Sequence, residues 1–356
     1  MAKLGELGKI ITGNTPKTSD AQNYESNDIC FVKPSDFTDN EITEIHQSEF
    51  YISAYAKDKA RVLPTDSILV TCIGIIGKVA INKVPCAFNQ QINAIVPEKK
   101  VCNPRYIAYA IQNLQPKMQS TANAAVVPIL NKTQFSNLEV PLLPVGEQKQ
   151  IACNLNKIDK LIFLRKQQLA KLDELVKARF VEMFGDPVLN TKSLLVLTGR
   201  DFFKLSNGKA VPDEKRFEMG IPAYGGNGVS WYTDDALLNN DTLVVGRVGF
   251  QSGNVHFAKG PLWVTDNAMY ISWYDSKKYN LTFLHELMQQ IDFSRYQDAG
   301  DLKKITQKPF MNFEYIQPPM CQQNEFATFV ACVDQQKQTV QQSLEKLELM
   351  KKALMQ

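Results

Sequence analysis

The chain repeats itself, and this repetition limits its possible folds more than any other feature of the sequence. Asp66 begins the run DSILVT, and Asp241, 175 positions later, begins the run DTLVVG. In each copy an aspartate and a small polar residue precede apolar residues, and a glycine follows three positions after the run, at Gly74 and Gly249. A shared pattern at a constant offset indicates two structurally related halves within one chain.

A second landmark keeps the same offset. Pro144 matches Pro319, and each of these prolines precedes a long polar segment with helical spacing. Between the two landmarks, residues 88–91 (FNQQ) take the place of residues 265–268 (TDNA), a gap or two out of step. The halves are therefore expected to share ancestry without being identical.

The globular part of each half is predicted to be rich in β-structure. Short β-branched runs bounded by Gly, Asn, Asp or Pro are typical of strands, and such runs occur at 68–73, 78–81, 243–248 and 268–273. Segments with helical apolar spacing occupy equivalent places in the two halves, at 105–114 and 281–291. The sequence thus predicts an α+β fold with two β-rich domains.

Each half ends in a long segment that has the spacing of a coiled coil. Apolar residues recur in steps of four and three over 147–184 and again over 326–354. Four basic residues interrupt this spacing, namely Arg165, Arg179, Lys337 and Lys351. At ~1.5 Å per residue the first helix is roughly 57 Å long, which is more than a helix in one compact domain usually reaches. Each helix therefore needs a partner helix.

The predicted organisation has four segments: a globular part at 1–143, a helix at 144–186, a globular part at 187–318 and a helix at 319–356. The sequence Gly-Asp-Pro at 185–187 is expected to end the first helix. If a pseudo-two-fold axis crosses the helices, they run antiparallel as a coiled coil and hold the globular parts apart, like a dumbbell. The alternative is a linker hairpin within one ordinary domain.

Composition excludes several classes of protein. The 356 residues are 44% hydrophobic and 22% charged, which suffices for two domains with apolar cores. No window approaches the roughly 18 consecutive apolar residues of a membrane-spanning helix, and the first residues lack a secretory signal, so we expect a cytoplasmic protein without membrane contact. The 7 cysteines form no CxxC pair and the 3 histidines are far apart, so no metal site is predicted.

The sequence contains no recognisable catalytic constellation. Residues 74–79 (GIIGKV) resemble the end of a phosphate-binding loop, but the earlier glycine falls at Cys72 and Val79 replaces the residue that binds magnesium. Residues 317–320 (QPPM) lack the Asn or Asp and the aromatic residue of an adenine methyltransferase loop. The acids and the lysine at 212–215 (PDEK) are too crowded to converge on one cation, which predicts a solvated turn.

The globular parts contain side chains that are suited to reading DNA. Asn and Gln can form paired hydrogen bonds with adenine, Arg can do so with guanine, and glycines let the backbone approach phosphates. The same residue types also form ordinary turns and buried hydrogen-bond networks. The candidates for DNA contact are Lys33, Ser35, Gly77, Lys78, Asn89, Gln90, Gln91, Tyr224, Gly226, Asn227 and Arg247.

Together these features resemble the specificity subunit of type I restriction-modification systems. The resemblance is based on the half-chain repeat, on the start of the central helix at 140–148 (VPLLPVGEQ) and on its end at 178–187 (ARFVEMFGDP). Residues 4–10 (LGELGKI), followed by Gly13, Thr15 and Pro16, also resemble the start of a target recognition domain. These motifs span nearly the whole chain.

The resemblance implies a non-catalytic reader of double-stranded DNA, in which two target recognition domains each bind half of a split, asymmetric sequence. The helices would set the gap between the half-sites, up to roughly 17 base pairs for a rod of roughly 57 Å. Two methyltransferase subunits would dock on the helices, and restriction subunits would join later. S-adenosylmethionine, ATP and magnesium would be bound by these partners, so no cofactor is expected in this chain.

Residues expected to pair the helices or to dock the partners lie in the two helical segments. They are Glu147, Gln148, Ile151, Leu155, Ile158, Leu172, Val176, Gln323, Phe326, Val333, Val340, Leu344 and Leu347. The second copy of the pattern at the helix start has Gln322 where the first has Glu147. The two docking sites are therefore not expected to be equivalent.

Two other functions are compatible with the sequence. One is the recognition subunit of a type II-like nuclease-methylase that acts on a bipartite target with the same domains. The other is a scaffold whose helices bind another protein and whose globular parts never contact DNA. Failure to enrich a split motif from a random DNA library would favour the scaffold.

Overall fold

The chain forms two compact units. The structure is a computed structural model that describes residues 1–39, 41–122, 127–300 and 303–355. Unit 1 comprises Met1–Arg165 together with Ser343–Gln356, and unit 2 comprises Lys166–Gln342. The boundaries between the units fall inside the two long helices and not at their ends. The four segments predicted from the sequence therefore differ from the compact units, because each part of a long helix packs against a globular part.

In the residues that the structure describes, unit 1 contains ten strands and four short α-helices. The strands are β1 (Ala2–Lys3), β2 (Gly8–Thr12), β3 (Ile29–Val32), β4 (Thr43–Ile45), β5 (Tyr51–Ile52), β6 (Ile68–Thr71), β7 (Val79–Asn82), β8 (Cys86–Phe88), β9 (Ile92–Pro97) and β10 (Glu139–Val140). The short helices are α1 (Leu4–Leu7), α2 (Pro104–Asn113), α3 (Gln115–Thr121) and α4 (Lys132–Ser136).

The strands of unit 1 form one large and two small sheets. The large sheet has the order β2-β9-β6-β7-β4, in which only the β4–β7 pair is parallel. In a small sheet, β3 pairs antiparallel with β5 and parallel with β8. Strand β6 is buried on both faces, as its β-branched sequence favours, because α2 and the small sheet cover the two sides of the core.

The described part of unit 2 has nine strands and two short α-helices. The strands are β11 (Val196–Thr198), β12 (Phe203–Asn207), β13 (Ile221–Gly225), β14 (Gly228–Thr233), β15 (Thr242–Gly246), β16 (Val255–Ala258), β17 (Trp263–Val264), β18 (Ala268–Tyr274) and β19 (Glu314–Ile316). The short helices are α6 (Leu281–Gln289) and α7 (Gln307–Asn312). The larger sheet has the order β12-β18-β15-β16, and β13 pairs antiparallel with β14 and parallel with β17.

Two long helices follow the β-rich regions. They are α5 (Val145–Phe184), with 40 residues, and α8 (Met320–Met355), with 36 residues. Helix α5 ends at Gly185, as predicted, because Gly185 takes a left-handed conformation (φ 74°) and its N–H donates to the carbonyl of Val181. None of the helices in the described part of the chain has the length and apolar composition of a membrane span.

Both units place a glycine in the same position beside the parallel strand pair. A Cβ atom at Gly13 would lie 2.0 Å from the carbonyl oxygen of Asn89, and a Cβ atom at Gly208 would lie 2.1 Å from the carbonyl oxygen of Thr265. Only glycine leaves room for these close backbone approaches. This contact aligns Asn89 with Thr265, a shift of one residue from the alignment of FNQQ with TDNA.

The observed elements agree closely with the sequence predictions. Two β-rich regions and long helices make a mixed α/β fold. The helices predicted at 105–114 and 281–291 are α2 and α6, whose first turns are capped by the side chains of Asn103 and Asn280. The strand predicted at 268–273 is β18.

Candidate nucleic-acid interface

In unit 1, three of the predicted DNA-contacting residues form the turn after β8. The Asn89 side chain donates to Gln91 Oε1 (2.9 Å) and accepts from the Gln91 backbone N–H (3.2 Å). Gln90 is exposed, and its Oε1 accepts from the Thr15 hydroxyl (2.7 Å). Because Asn89 is only 6% exposed, it shapes the turn, whereas Gln90 and Gln91 present their amides at the surface.

Lys33 lies beside this turn on an aromatic ring. Its Nζ is 3.1 Å from the centroid of the Phe50 ring and 5.9 Å from that of Phe31. Lys33, Phe50, Asn89 and Gln91 all line one cavity of about 370 Å³. A cation held over an aromatic face is attracted by the ring, and this arrangement suits contact with an anionic or π-rich ligand.

Three other candidates in unit 1 have contacts of their own. Gly77 is buried, and a Cβ atom there would lie 2.6 Å from Gln115 Cγ, so this glycine is required for packing, and its contact with DNA stays a prediction. The Lys78 ammonium forms an ion pair with Asp39 (2.7 Å), and its side chain is 14% exposed. Ser35 is exposed near Glu49. These residues are not among those that line the cavity beneath Lys33.

In unit 2, the structure brings the predicted residues of two loops together. Gly226 and Asn227 form the turn between β13 and β14, where Asn227 is exposed. A Cβ atom at Gly246 would lie 2.3 Å from the Gly226 carbonyl oxygen, so this turn rests directly on the residue before Arg247. Tyr224, at the end of β13, is partly buried, and this burial raises the pKa of its phenol.

Sequence reasoning missed a second cation–aromatic pair, in unit 2. The Arg216 guanidinium lies 4.4 Å from the centroid of the Trp231 ring. Its Nη1 pairs with Asp213 (2.7 Å), and its Nε and Nη2 donate to the carbonyl of Val211. Arg216 and Trp231 lie 15 positions apart in the sequence, so no local sequence pattern indicates that they are in contact. Trp231 pairs with Ala223 of β13, and in unit 1 the Phe31 N–H of β3 donates to the carbonyl of Phe50. Each aromatic residue therefore lies opposite the central strand of the small sheet in its unit.

At the start of α5, the Gln148 side chain is fully buried. Its Oε1 accepts from the Asn103 N–H (2.8 Å), and its Nε2 donates to the carbonyls of Val101 (2.9 Å) and Leu143 (2.7 Å). These three bonds join the helix start to the loop before α2. The amide is inaccessible and its bonds are made within unit 1, so Gln148 positions the helix start, and its role in docking a partner or pairing the helices stays a prediction.

Gln323 makes the same three contacts at the start of α8. Its Oε1 accepts from the Asn280 N–H (2.9 Å), and its Nε2 donates to the carbonyls of Lys278 (2.9 Å) and Pro318 (2.8 Å). The side chain is 0% exposed, and its role in docking a partner or pairing the helices likewise stays a prediction. Glu147, one residue before Gln148, is exposed. The docking role of Glu147 stays a prediction.

The other residues predicted to pair the helices are largely buried. Leu172, Val176, Phe326, Val333 and Val340 belong to the main core of unit 2, and Leu155 belongs to that of unit 1. Buried outside these cores are Ile158 and Leu344, and half-buried are Ile151 and Leu347. Two aromatic residues that the prediction omitted, Phe180 and Phe184, join Phe283 and Phe326 with ring centroids 4.9–6.4 Å apart.

In unit 2, the basic residues that interrupt the apolar spacing form ion pairs between α5 and α8. Lys337 pairs with Asp173 (2.6 Å), and Arg179 pairs with Glu325 (3.1 Å). Partial desolvation is the largest single effect and disfavours the Lys337 charge, but the hydrogen bond to Asp173 together with the attraction of Asp173, Asp334 and Glu286 raises the pKa of Lys337 above its ordinary value. The pairings run in opposite directions along the two helices, so these segments are antiparallel.

In unit 1, Lys351 of α8 pairs with Asp159 of α5 (2.7 Å), with side chains 17% and 19% exposed. The Tyr109 hydroxyl donates to the same carboxylate (2.7 Å). Burial, and then this hydrogen bond, raise the pKa of Tyr109. The interruption of the apolar pattern at Lys351 therefore marks a charged contact that links α5, α8 and α2.

The described residues contain no group of three or more His, Cys, Asp or Glu side chains arranged to hold a metal ion. The seven cysteines are all unpaired thiols, of which four are buried. Residues 213–215, part of the segment that superficially resembles a nuclease site, form an exposed turn of 3₁₀ helix, in agreement with the predicted solvated turn.

Comparison with known proteins identifies the family. The profile of the type I restriction modification DNA specificity domain matches residues 1–174 and 196–349. The MjaIX specificity subunit of Methanocaldococcus jannaschii is 28% identical over 187 residues, 52% of this chain and 43% of that protein. The EcoR124I/EcoR124II specificity subunit of Escherichia coli is 30% identical over 167 residues, 44% of this chain and 40% of that protein. The chain thus spans less than half the length of these two relatives.

A longer match and two solved structures extend the similarity. The putative MjaX specificity subunit of M. jannaschii is 25% identical over 312 residues, 79% of this chain and 73% of that protein. The S subunit of the type I restriction-modification system from M. genitalium has a TM-score of 0.66 at 15% identity, covering 99% of this chain and 94% of that chain. A chain from a structure of type I R-M system assembly has a TM-score of 0.60 at 14% identity, with coverages of 99% and 95%. Because the family profile matches most of its length, the chain belongs to the type I restriction-modification DNA specificity family.

Proposed function

We propose that this chain is the DNA specificity subunit of a type I restriction-modification complex. Each unit reads one half of a split, asymmetric target in double-stranded DNA, and the chain itself performs no chemistry. The observation that supports this most is that the two units share the same backbone contacts but present different polar side chains at the surface. The same glycine contacts and the same buried glutamine bonds recur in both units, while Lys33 with Gln90 and Gln91 in unit 1 contrast with Asn227 and Arg247 in unit 2.

Unlike side chains on equivalent frames favour two different half-sites, because sequence is read by the donors and acceptors presented to the base edges. The matched bonds also support a pseudo-two-fold internal repeat. The antiparallel ion pairs between α5 and α8 support an antiparallel coiled coil. In this proposal the coiled coil sets the gap between the half-sites.

The methyltransferase subunits, two per specificity subunit, dock on the helical surfaces that remain exposed, and restriction subunits join that complex. S-adenosylmethionine, ATP and magnesium are bound by those partners in the cytoplasm. Exposed apolar side chains on α5, such as Leu161, Phe163 and Leu164, support a role of this helix in binding another protein.

The test is a mobility-shift selection with the purified chain and its methylating subunit on a random DNA library. We expect enrichment of one motif made of two different half-sites at a fixed gap. Enrichment of no motif would contradict the proposal and favour the scaffold. Methylation-sensitive sequencing of the host genome then gives the target independently. If one partner subunit carried both the nuclease and the methyltransferase activity, the type II-like arrangement would be favoured.

A further inference from the structure

Each unit exposes a large apolar side chain at the tip of an equivalent loop. The loop after β6 presents Ile75, which is 58% exposed, and the loop after β15 presents Phe250, which is 88% exposed. Each tip residue directly follows a glycine, Gly74 or Gly249. Single exposed apolar residues are common on protein surfaces, but the same placement in two units of different sequence calls for a shared cause.

Both loops are held in one conformation by backbone hydrogen bonds. Gly74 and Gly249 have left-handed φ angles of 76° and 96°. The Gly249 N–H donates to the carbonyl of Lys303 (2.8 Å), and the Gly74 N–H donates to that of Pro128 (3.0 Å). The tip side chains are therefore presented by a fixed backbone, which lowers the entropy that a binding partner must overcome.

The base of each loop is bonded to the turn that follows the parallel strand pair of its unit, and in unit 1 this turn holds the candidate DNA-contacting amides. The Cys72 N–H donates to the carbonyl of Gln91 (2.8 Å) in unit 1, and the Arg247 N–H donates to the carbonyl of Asn267 (2.9 Å) in unit 2. In unit 2 the loop also lies against the β13–β14 turn, since a Cβ atom at Gly226 would be 3.0 Å from the Val248 carbonyl oxygen.

The surroundings of Phe250 are basic. Arg247 begins its loop, and Lys303 and Lys304 lie on the segment that pairs with it through the bridge between Val248 and Lys304. A rigid apolar tip among cations fits the phosphate backbone and the base stack of duplex DNA better than it fits an apolar protein groove. Apolar side chains of this kind can enter between base pairs and unstack them.

We propose that Phe250, and Ile75 at the equivalent position, are wedges that enter the base stack at the edge of the half-site read by their unit. This inference rests on the proposed function, and it assigns to these two residues a role in distorting the target. The wedge would make recognition depend on how easily the contacted base step unstacks, in addition to hydrogen bonds to base edges.

The test uses the full chain with its methylating subunits and a duplex that contains the selected target. 2-Aminopurine, whose fluorescence rises on unstacking, is placed at successive steps of the half-site read by unit 2, away from the base that the partner methylates. We expect the wild-type complex to raise the fluorescence at one step. Phe250→Ala should abolish that rise and weaken binding by about tenfold, as loss of one stacking contact does, whereas Phe250→Leu should retain most of both.

Leu189→Ala is the matched control, since Leu189 is another exposed apolar residue of unit 2, at 74%. It should change neither signal. Equal fluorescence and equal affinity for wild type and Phe250→Ala would overturn the wedge while leaving the proposed function intact. Loss of methyltransferase binding in Phe250→Ala, with an unchanged fluorescence pattern in the remaining complex, would also overturn it. No split-motif binding by the wild type would overturn both proposals.

Discussion

At the scale of single residues, the buried amides of Gln148 and Gln323 bond backbone groups at the start of the long helices. Replacing Gln323 with alanine would leave one backbone N–H and two carbonyls of unit 2 without these bonds. We expect Gln323→Ala to lower the free energy of unfolding by about 2–4 kcal/mol, because each buried unsatisfied group costs about 1–3 kcal/mol.

The 3 tryptophans, Trp231, Trp263 and Trp273, all lie in unit 2, so their fluorescence during urea unfolding reports on that unit. Gln322→Ala is the control, since Gln322 is the exposed neighbour of Gln323. An equal urea midpoint for Gln322→Ala and Gln323→Ala would show that the buried amide contributes nothing to stability.

Thiol reactivity provides a second test at this scale. Cys153, Cys321 and Cys332 are exposed, whereas the other four cysteines are buried. Burial raises the pKa of Cys72 to about 11 and that of Cys86 to about 12, from an ordinary value of 9.0. We expect three thiols to react rapidly with Ellman's reagent in the native protein near neutral pH, and the remaining four only after unfolding.

The same thiols predict a loss of stability at alkaline pH. The unfolded chain releases these protons as the pH rises above 9, while the folded unit retains them up to the raised values. Their contribution to the free energy of unfolding is therefore complete below pH 9 and is lost progressively from pH 9 to about 12. Cys86→Ala should reduce this loss in urea titrations at several pH values, and an unchanged pH profile would contradict the assignment.

The candidate site could be predicted from the sequence only in part, for reasons that differ between residues. The amides at 89–91 were recognised because an Asn-Gln-Gln turn after a strand is a local pattern. The contact of Lys33 with Phe50 and that of Arg216 with Trp231 depend on strand pairing between distant segments, which composition and spacing do not reveal. The sequence also cannot distinguish a glycine required for packing, as Gly77 is, from one that approaches a phosphate, because both have the same local signature.

At the scale of secondary-structure elements, ion pairs link α5 to α8, and these pairs differ in how far their side chains are buried. The pair of Asp159 with Lys351 is mostly buried, whereas Asp173 in the pair with Lys337 is 63% exposed. We expect Asp159→Ala to lower the free energy of unfolding by about 3 kcal/mol, since it leaves a buried ammonium without its partner. Asp173→Ala should cost less than about 1 kcal/mol.

Urea unfolding followed by far-ultraviolet circular dichroism measures both effects. The double variant Asp159→Ala/Lys351→Met should recover much of the stability, because it removes the unpaired charge as well. If Asp159→Ala and Asp173→Ala had equal effects, burial of the pair would not determine its contribution.

The elements themselves were the most predictable part of the fold. Helix α2 and strand β18 begin within one residue of their predicted starts, because helical apolar spacing and a short run rich in apolar and aromatic residues are strong local signals. The function of Lys337 and Lys351 could not be foreseen in the same way. Heptad spacing identifies them as interruptions, and only the opposing helix supplies the aspartates that accommodate them.

At the scale of the whole molecule, the proposed gap-setting role of the helices is tested by lengthening both of them in register. A seven-residue insertion after Gln168 in α5, paired with one after Gln342 in α8, adds about 10.5 Å to each helix and preserves the heptad spacing. We expect the selected motif to keep both half-sites and to gain about three base pairs of gap, as read by sequencing of selected DNA.

A four-residue insertion after Gln168 alone is the contrasting variant, since it rotates one helix face away from its partner. It should move the half-sites apart or abolish recognition. Arg247→Ala should instead weaken binding with the gap unchanged. If the paired insertion changed the bases read within one half-site, the helices would not act as a spacer.

The division of the chain into compact units was the least predictable feature at this scale. The sequence separates helices from globular parts at 143–144 and 318–319, where composition changes, whereas the compact units separate within the helices. Local composition reports where an element begins, but packing between distant segments decides which elements fold together. The ion pair of Lys351 with Asp159 is one such contact, because it joins the end of α8 to unit 1.

Residues 343–355 complete unit 1, although they are synthesised after all of unit 2. On the ribosome, unit 2 therefore has its full set of residues before unit 1 has its own. A nascent chain arrested after Gln342 would expose Tyr109 and Asp159 where Lys351 later covers them, and this surface would be open to chaperones and proteases. Limited proteolysis of such arrested chains should cleave within unit 1 first. The order of translation therefore makes the completion of unit 1 the last folding step of this protein.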